Sequence, residues 1–185
     1  MKFLAQAIPG IVLVEPDVHR DPRGFFLESY HASKYAEGGI GDRFVQDNHS
    51  LSREGTLRGL HMQIRTPQAK LIRVLRGRIW DVAVDLRRGS PTFAQHFGVE
   101  LSADNYRQLY VGVGMAHGFF VLSGEAEIEY KCSGLYDPED ELTVAWDDPE
   151  LGIPWPASGA PILSAKDQSA PGLSEVMDRL PEWQD

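Results

Sequence analysis

The sequence predicts a mostly β protein, an antiparallel barrel or sandwich of short strands. Three observations indicate this class. β-prone runs recur at short intervals, 18 Gly and 12 Pro are spread along the 185 residues as turn formers, and helical patterning is left only near the C-terminal end. The chain is 42% hydrophobic and has no long polar tract, so it can bury one sizeable core. We therefore expect a single domain over residues 1–185.

The N-terminal third alternates extended runs with turns. In residues 21–24, Asp-Pro-Arg-Gly, proline presets the second position of a type I turn and glycine closes it. Gln46 and Asn48 lie on one face of a later strand, because side chains alternate along a strand. The predicted elements are strands at Ile11–Glu15 and residues 25–30 and 44–51, and a brief helix at residues 33–36 that Gly38 and Gly39 end.

The middle of the chain has the clearest strand signal. Alternate residues from Trp80 to Leu86 are apolar and fall on one face of a run that follows a glycine turn, which is typical of a hairpin strand. Residues 87–91, Arg-Arg-Gly-Ser-Pro, interrupt this run. The predicted strands are residues 70–75, 79–86, 93–99, 106–111, 117–122 and 126–132.

Strict alternation marks the strand at Glu125–Cys132. Charged residues take the odd positions and apolar or aromatic residues the even ones, so the period of two directs Tyr130 inward. A buried phenol needs a hydrogen-bond partner or a substrate, and a core tyrosine bonded to a backbone carbonyl is the commoner case. Cys132 should also point inward as a structural residue. As the sole cysteine, it excludes an intrachain disulfide and a cysteine-rich zinc site.

The C-terminal part is predicted to hold the remaining helices. Residues 149–161 form a proline-rich surface connection. Ser164 and Asp167, three positions apart, resemble a capping box that starts a short helix. A longer helix is predicted over residues 173–180.

The charge of the chain argues against nucleic-acid and membrane partners. The formal net charge is −9 and the pI is about 5.1, which disfavours a general attraction to nucleic acid or to an anionic membrane. The apolar run at the N-terminus is too short and broken for a signal peptide, and no stretch approaches membrane-spanning length. We expect a cytoplasmic protein, since an unpaired thiol fits that reducing compartment.

Three basic side chains lie close together in the sequence. Arg58 can hold a phosphate or carboxylate with two hydrogen bonds, His61 can move a proton near neutral pH, and Lys70 can stabilise a developing oxyanion. Each alone is more often structural, because an isolated histidine is commonly a satisfied core residue and Arg or Lys a solvated charge. Whether the three share one pocket decides the function.

Two histidine-containing segments, residues 59–63 and 112–117, resemble the paired signatures of the cupin barrel. Metal-binding cupins carry His-x-His and then Glu in the first signature, whereas here Gln63 replaces the second histidine. His61 and His117 therefore lack the ligand set of a transition metal, and a metal site is the second and weaker interpretation.

The resemblance becomes specific when several segments are read in order. From about residue 10 to residue 171 the chain resembles the dTDP-4-dehydrorhamnose 3,5-epimerase family. The matching segments are residues 21–28, 45–50, 57–61, 68–70, 85–93, 116–119 and 146–149. This resemblance implies a metal-free, cofactor-independent, cupin-type antiparallel jelly roll, usually a homodimer. It also implies that the N-terminal strands contribute to the dimer and that the C-terminal segment covers the barrel.

The resemblance further implies epimerisation at C3 and C5 of a nucleotide sugar, dTDP-4-dehydro-6-deoxy-D-glucose, to dTDP-4-dehydro-L-rhamnose. A C4 ketone acidifies the hydrogens on both neighbouring carbons, so the reaction needs a base, a proton donor on the opposite face, and stabilisation of the enolate between them. By resemblance, His61 is the base and Asp167 its dyad partner. Lys70 stabilises the enolate, and Tyr130 delivers a proton from the opposite face.

The family also implies a set of substrate-binding positions. Arg23 and Arg58 match positions that bind the diphosphate, and Tyr136 matches the aromatic residue that stacks on thymine. The further positions are Glu28, Gln46, Asn48, His117, Glu141 and Lys166. The two amides have the donors and acceptors that a pyrimidine edge needs, whereas the two glutamates could be solvated charges on turns.

Two alternative functions fit the same residues. A related enzyme could invert only C3 or only C5 of a dTDP-4-keto-deoxysugar, although the presence of Tyr130 favours inversion at both carbons. A small-ligand-binding or metal-dependent cupin is the less favoured alternative.

Overall fold

Thirteen β-strands dominate residues 1–184, the part of the chain that this computed structural model describes. The strands are β1 (Lys2–Ala5), β2 (Ile11–Glu15), β3 (Val18–Asp21), β4 (Gly24–Leu27), β5 (Gln46–Arg53), β6 (Leu57–Gln63), β7 (Lys70–Arg76), β8 (Arg78–Asp85), β9 (His96–Ser102), β10 (Gln108–Val111), β11 (Met115–Val121), β12 (Glu125–Cys132) and β13 (Glu141–Thr143). The helices are α1 (Ala32–Glu37), α2 (Ala165–Gln168) and α3 (Leu173–Val176), and a 3-10 turn, Met177–Arg179, follows α3.

The strands form two large antiparallel sheets and one small hairpin. The six-stranded sheet has the order β1-β2-β10-β7-β12-β5, and the five-stranded sheet has the order β13-β6-β11-β8-β9. Strands β3 and β4 pair only with each other, joined by the turn predicted at residues 21–24. This arrangement confirms the predicted mostly β, cupin-type antiparallel jelly roll with short C-terminal helices.

The two large sheets pack face to face over one apolar core. Ile72 and Ile128 on the six-stranded sheet share a buried cluster with Ala83 and Phe119 on the five-stranded sheet. Burial of each large aliphatic side chain contributes about 1.5–3 kcal/mol, so this interface dominates the stability. The opposite face of the five-stranded sheet is covered from the C-terminal part of the chain, by Leu151, Leu173, Val176 and Leu180.

Most predicted strands are present, with shifted ends. The strand predicted from residue 93 begins instead at His96, because residues 90–95 form turns around the buried Asp85. There Asp85 Oδ2 accepts hydrogen bonds from the hydroxyls of Ser90 and Thr92, at 2.6 and 2.7 Å. The strand predicted over residues 25–30 ends early at Leu27, and the predicted strands did not include β1, β3, β6 or β13.

The predicted helices also form, and they are short. Helix α1 spans two residues more than predicted, and Ser164 caps α2 by accepting a hydrogen bond from the backbone N–H of Asp167. The helix predicted over residues 173–180 is split into α3 and the 3-10 turn. No helix within residues 1–184 has the length and apolar character needed to cross a bilayer.

Candidate active site

A cavity of about 240 Å³ opens between the two large sheets, and most of its wall is polar. Seven of the residues singled out from the sequence line it: Gln46, Asn48, His61, Lys70, Tyr130, Tyr136 and Glu141. Met62, Gln63 and Gln68 complete the lining. Residues from widely separated parts of the chain therefore converge on one site.

Strand register explains why one wall of the cavity is so polar. Tyr130 on β12 lies opposite Asn48 on β5, and Cys132 lies opposite both Gln46 and Lys70. Residues directly opposite each other in antiparallel strands point to the same face, so these five side chains share the inner face of the six-stranded sheet. The inward direction predicted for Tyr130 and Cys132 is confirmed, and the thiol is buried.

His61 comes from the other sheet and is held by Asp167. His61 Nε2 lies 2.6 Å from Asp167 Oδ1, and the Asp167 side chain is only 2% exposed. Ser164 Oγ donates a second hydrogen bond to Asp167 Oδ2 at 2.8 Å. The carboxylate is thereby fixed at the start of α2, and the imidazole is fixed in turn.

The charge of this pair follows from its hydrogen bonds. Burial by itself would raise the pKa of Asp167, but the hydrogen bond and positive charge of His61 outweigh burial and lower that pKa below its usual value. Asp167 is therefore ionised at neutral pH and accepts a proton-bearing Nε2. The neutral imidazole then keeps its lone pair on Nδ1, the nitrogen that is free to act as a base.

Lys70 presents its ammonium group to the cavity. Its Nζ donates no hydrogen bond to any atom of residues 1–184, and burial lowers its pKa below the usual value for lysine. A desolvated cation with unused donors is suited to a developing oxyanion, because the interaction is strong where water is excluded.

Tyr130 occupies the opposite wall from His61. Its hydroxyl has no hydrogen-bond partner within the described residues, and burial raises its pKa. The phenol therefore keeps its proton at neutral pH and is available as a donor toward the cavity. The alternative considered from the sequence, a purely structural tyrosine whose hydroxyl donates to a backbone carbonyl, is therefore excluded.

Glu141 connects several groups at the edge of the cavity. Its Oε2 accepts from Lys166 Nζ at 2.5 Å and from the Tyr136 hydroxyl at 3.2 Å, and its Oε1 lies 3.9 Å from His61 Nδ1. The sequence suggested that Glu141 could be a solvated turn residue. It is instead largely buried on β13, opposite Gln63 of β6.

A second depression, about 650 Å³ in volume, adjoins the cavity through His61. Arg58, Lys166 and Asp167 lie along this groove. Arg58 is exposed and its Nε donates to Ser52 Oγ at 3.0 Å, which leaves the terminal guanidinium nitrogens free for an anion. The groove therefore offers the cations Arg58 and Lys166 beside a polar cavity that holds His61, Lys70 and Glu141.

Three predicted binding residues line neither the cavity nor the groove. Arg23 is on the exposed β3–β4 turn, where its side chain is 89% exposed and pairs with Asp21. Glu28 pairs with Lys34 at 2.8 Å. His117 lies opposite His61 in the β6–β11 pair, but its Nε2 is 3.0 Å from both carboxylate oxygens of the buried Asp81.

Two features of the site were missed from the sequence. The partner of His117, Asp81, stands in an apolar strand and gives no local signal apart from being a charge among hydrophobic residues. The hydrogen bonds of Gln63 to the loop that carries Tyr136 also had no signature. Its replacement of a cupin histidine was visible, and within residues 1–184 no three His, Cys, Asp or Glu side chains group as metal ligands.

The sequence profile described as dTDP-4-dehydrorhamnose 3,5-epimerase matches residues 5–175. A dTDP-4-dehydrorhamnose 3,5-epimerase from Pseudomonas aeruginosa is 52% identical over 177 residues, covering 95% of this chain and 98% of that protein. The protein of the same name from Methanothermobacter thermautotrophicus is 46% identical over 176 residues, covering 94% and 95% of the two chains.

Solved structures give the same result. The crystal structure of dTDP-6-deoxy-D-glucose-3,5-epimerase from Legionella pneumophila, in complex with dTDP-4-keto-L-rhamnose, superposes with a TM-score of 0.96. It is 47% identical in sequence, and the match covers 100% of this chain and 99% of that one.

Proposed function

The chain belongs to the dTDP-4-dehydrorhamnose 3,5-epimerase family, and from this premise we propose that it inverts both C3 and C5 of dTDP-4-dehydro-6-deoxy-D-glucose to give dTDP-4-dehydro-L-rhamnose. It is an isomerase with a nucleotide-sugar substrate. One observation carries the proposal for this chain: His61 and Tyr130 come from different sheets and face the same cavity. Inversion at carbon needs a base and an acid on opposite faces of the reacting atom.

The first step is proton abstraction by His61. Nδ1 takes the hydrogen of C5 or C3, the C–H bonding electrons form a C=C bond to C4, and the C4 carbonyl oxygen becomes the enolate oxygen. Asp167 stabilises the imidazolium that results, through the 2.6 Å contact to Nε2. The ammonium of Lys70 stabilises the enolate oxygen, whose charge exists only after abstraction, and so lowers the barrier.

The second step is protonation from the other side. The Tyr130 phenol gives its proton to the carbanionic carbon as the C4 carbonyl re-forms, and the configuration is inverted. Afterwards the imidazolium releases its proton to water and the phenolate takes one from water, which restores both groups. Repetition at the second carbon completes the reaction.

The remaining residues bind the nucleotide in this proposal. Arg58, along the groove, holds the diphosphate together with Arg23 of the partner subunit, and Tyr136 stacks on the thymine ring. Lys166 contacts the substrate from the same groove. Gln46, Asn48 and Glu141 contact the substrate from the cavity wall. His117 lies opposite His61 on the neighbouring strand β11, and in this proposal it supports the sugar site from there.

We also propose that the single epimerase domain works as a homodimer in the cytoplasm. The β3–β4 hairpin supports this, because Phe25 and Phe26 on it are exposed and Arg23 and Glu28 lie beside them, away from the cavity of their own chain. A partner subunit covering the hairpin would bring these residues to its site. Light scattering should give twice the chain mass, and the charge substitution Phe26→Glu should give the monomer mass.

Proton NMR of the substrate in deuterated water tests the reaction. The enzyme should exchange the hydrogens at both C3 and C5 and yield the L-rhamno product. Exchange at one carbon alone would contradict the proposal and assign the protein to single-centre epimerases.

A further inference from the structure

The loop that carries Tyr136, residues 133–140 between β12 and β13, is held mainly by polar contacts. Leu135 is 67% exposed and Tyr136 is 51% exposed, so apolar burial contributes little to the conformation of this loop. Hydrogen bonds and ion pairs to neighbouring segments therefore hold the loop in position.

Three glutamine side chains supply hydrogen bonds to four consecutive residues of the loop. Gln68 Nε2 donates to the Gly134 carbonyl at 2.8 Å. Gln63 Nε2 donates to the Leu135 carbonyl at 3.2 Å, and its Oε1 accepts from the Asp137 N–H at 3.0 Å. Gln46 Oε1 accepts from the Tyr136 N–H at 2.9 Å. These glutamines come from three separate segments that line the cavity.

Gln63 is the central member of this group. It is 4% exposed, and both ends of its amide are used. Its Nε2 also donates to the carbonyl and the hydroxyl of Thr66, each at 2.9 Å. The amide orientation is determined by these partners, because carbonyls can only accept and a backbone N–H can only donate.

Thr66 extends the contact to the far end of the loop. Its hydroxyl and its N–H both donate to Asp140 Oδ2, at 2.8 and 2.7 Å, and Arg65 N donates to Asp140 Oδ1 at 2.8 Å. Burial alone would raise the pKa of Asp140, but these hydrogen bonds outweigh it and lower that pKa. Gln63 therefore lies between the two anchored ends of the loop.

We propose that Gln63 is a positioning residue for nucleotide recognition, acting through the loop to hold the Tyr136 ring over the base. This inference rests on the proposed function, in which Tyr136 stacks on thymine. The backbone of β6 is held independently by pairing with β11 and β13, so loss of the Gln63 side chain should release the loop and leave the strand in place. Nucleotide affinity should then suffer more than the chemical step at His61.

A double-mutant cycle tests this inference. The variants are Gln63→Met, which keeps the length and removes every hydrogen bond, Tyr136→Leu, which removes the ring, and the double variant. The probe is dTDP alone, with Kd from calorimetry. Gln63→Met should weaken dTDP binding about tenfold and lower kcat by a smaller factor. In the Tyr136→Leu background the same change should weaken binding less than twofold, because the ring it positions is gone.

The controls separate the possible failures. Gln95→Met, at an exposed residue that makes no hydrogen bond to the loop, should leave the Kd for dTDP unchanged. Thermal unfolding of each variant checks the fold, and Gln63→Glu, which keeps the acceptor for Asp137 and removes the donors, replaces Gln63→Met if that variant does not fold. Additive effects in the cycle, or an unchanged Kd, would overturn the inference. If the wild-type protein binds no dTDP, the proposed function itself fails as well.

Discussion

His61 and Asp167 are 106 positions apart in the chain, and their side chains meet at 2.6 Å. The contact joins a central strand to a four-residue helix whose N-cap, Ser164, also binds the carboxylate. Ser164 therefore serves two purposes, since it caps α2 and holds the carboxylate that fixes the His61 ring.

Substitution of Asp167 should impair catalysis far more than folding. Asp167→Asn keeps the shape of the side chain and removes the charge that stabilises the imidazolium, so kcat should fall about 100-fold or more. Steady-state assays check this, with Ser164→Ala as the control, because it removes one hydrogen bond to the carboxylate and should cost less than tenfold. A similar loss in both variants would contradict the assigned role.

The base and the acid should differ in deuterium exchange. His61→Ala should abolish exchange at both C3 and C5, because in the proposed mechanism His61 takes the proton from each of these carbons. Tyr130→Phe should leave part of the exchange and impair inversion, because abstraction persists while the proton donor is lost. NMR in deuterated water distinguishes the two results, and equal loss of exchange in both variants would refute this division.

Lys70 should lower the stability of the fold while raising the rate of the reaction. Its pKa is lowered by burial, so the unfolded chain holds the proton more tightly, and stability is reduced at neutral pH and recovers as pH rises through the lowered pKa. Lys70→Met should therefore raise Tm by a few degrees while lowering kcat more than it raises KM. Lys2→Met, at an exposed lysine, should leave Tm, kcat and KM unchanged. Calorimetry across pH and steady-state kinetics test these outcomes together.

The buried His117–Asp81 pair should be a stability element. Asp81→Ala leaves the buried imidazole without its acceptor, and we expect a loss of about 3 kcal/mol in the free energy of unfolding. Asp21→Ala breaks a solvent-exposed pair with Arg23 and should cost much less, because water screens that pair. Denaturant unfolding of the two variants measures the difference, and equal costs would show that burial of the first pair is energetically unimportant.

Metal removal should leave the reaction intact. His61 Nε2 is engaged by Asp167 and the amide of Gln63 by the Tyr136 loop, and within residues 1–184 no three His, Cys, Asp or Glu side chains group as metal ligands. Protein treated with a chelator and then dialysed should exchange C3 and C5 hydrogens at the untreated rate. Loss of exchange that added metal restores would contradict the proposed mechanism.

Local patterns predicted much of this fold. The alternation in β12 gave the inward direction of Tyr130, and the Ser164 cap marked the start of α2, because both depend on residues a few positions apart. The predicted start of β9 was wrong, because the carboxylate of Asp85, several residues earlier in the chain, organises the turn that precedes the strand. Such contacts between separated residues produce no periodic pattern in the sequence.

The site divides in the same way. Arg58, His61 and Lys70 could be singled out by their chemistry and proximity in the chain, but the pairing of His61 with Asp167 came only from family resemblance. Neither residue chemistry nor family resemblance predicted the role of Asp81 or the hydrogen bonds of Gln63. A charged residue within an apolar strand indicates that it has a buried partner. The identity of the partner of Asp81, His117, follows only from the pairing of β8 with β11.

The position of α2 has a consequence for the order in which the enzyme is completed during synthesis. The ribosome delivers His61 long before Asp167, so the two sheets can begin to pair while the histidine still lacks its carboxylate. In the proposed mechanism, the base has its partner only once the C-terminal segment has docked, with Leu173, Val176 and Leu180 packed on the five-stranded sheet. A chain that lacks this segment should therefore keep most strands of the cavity and lose the group that orients His61.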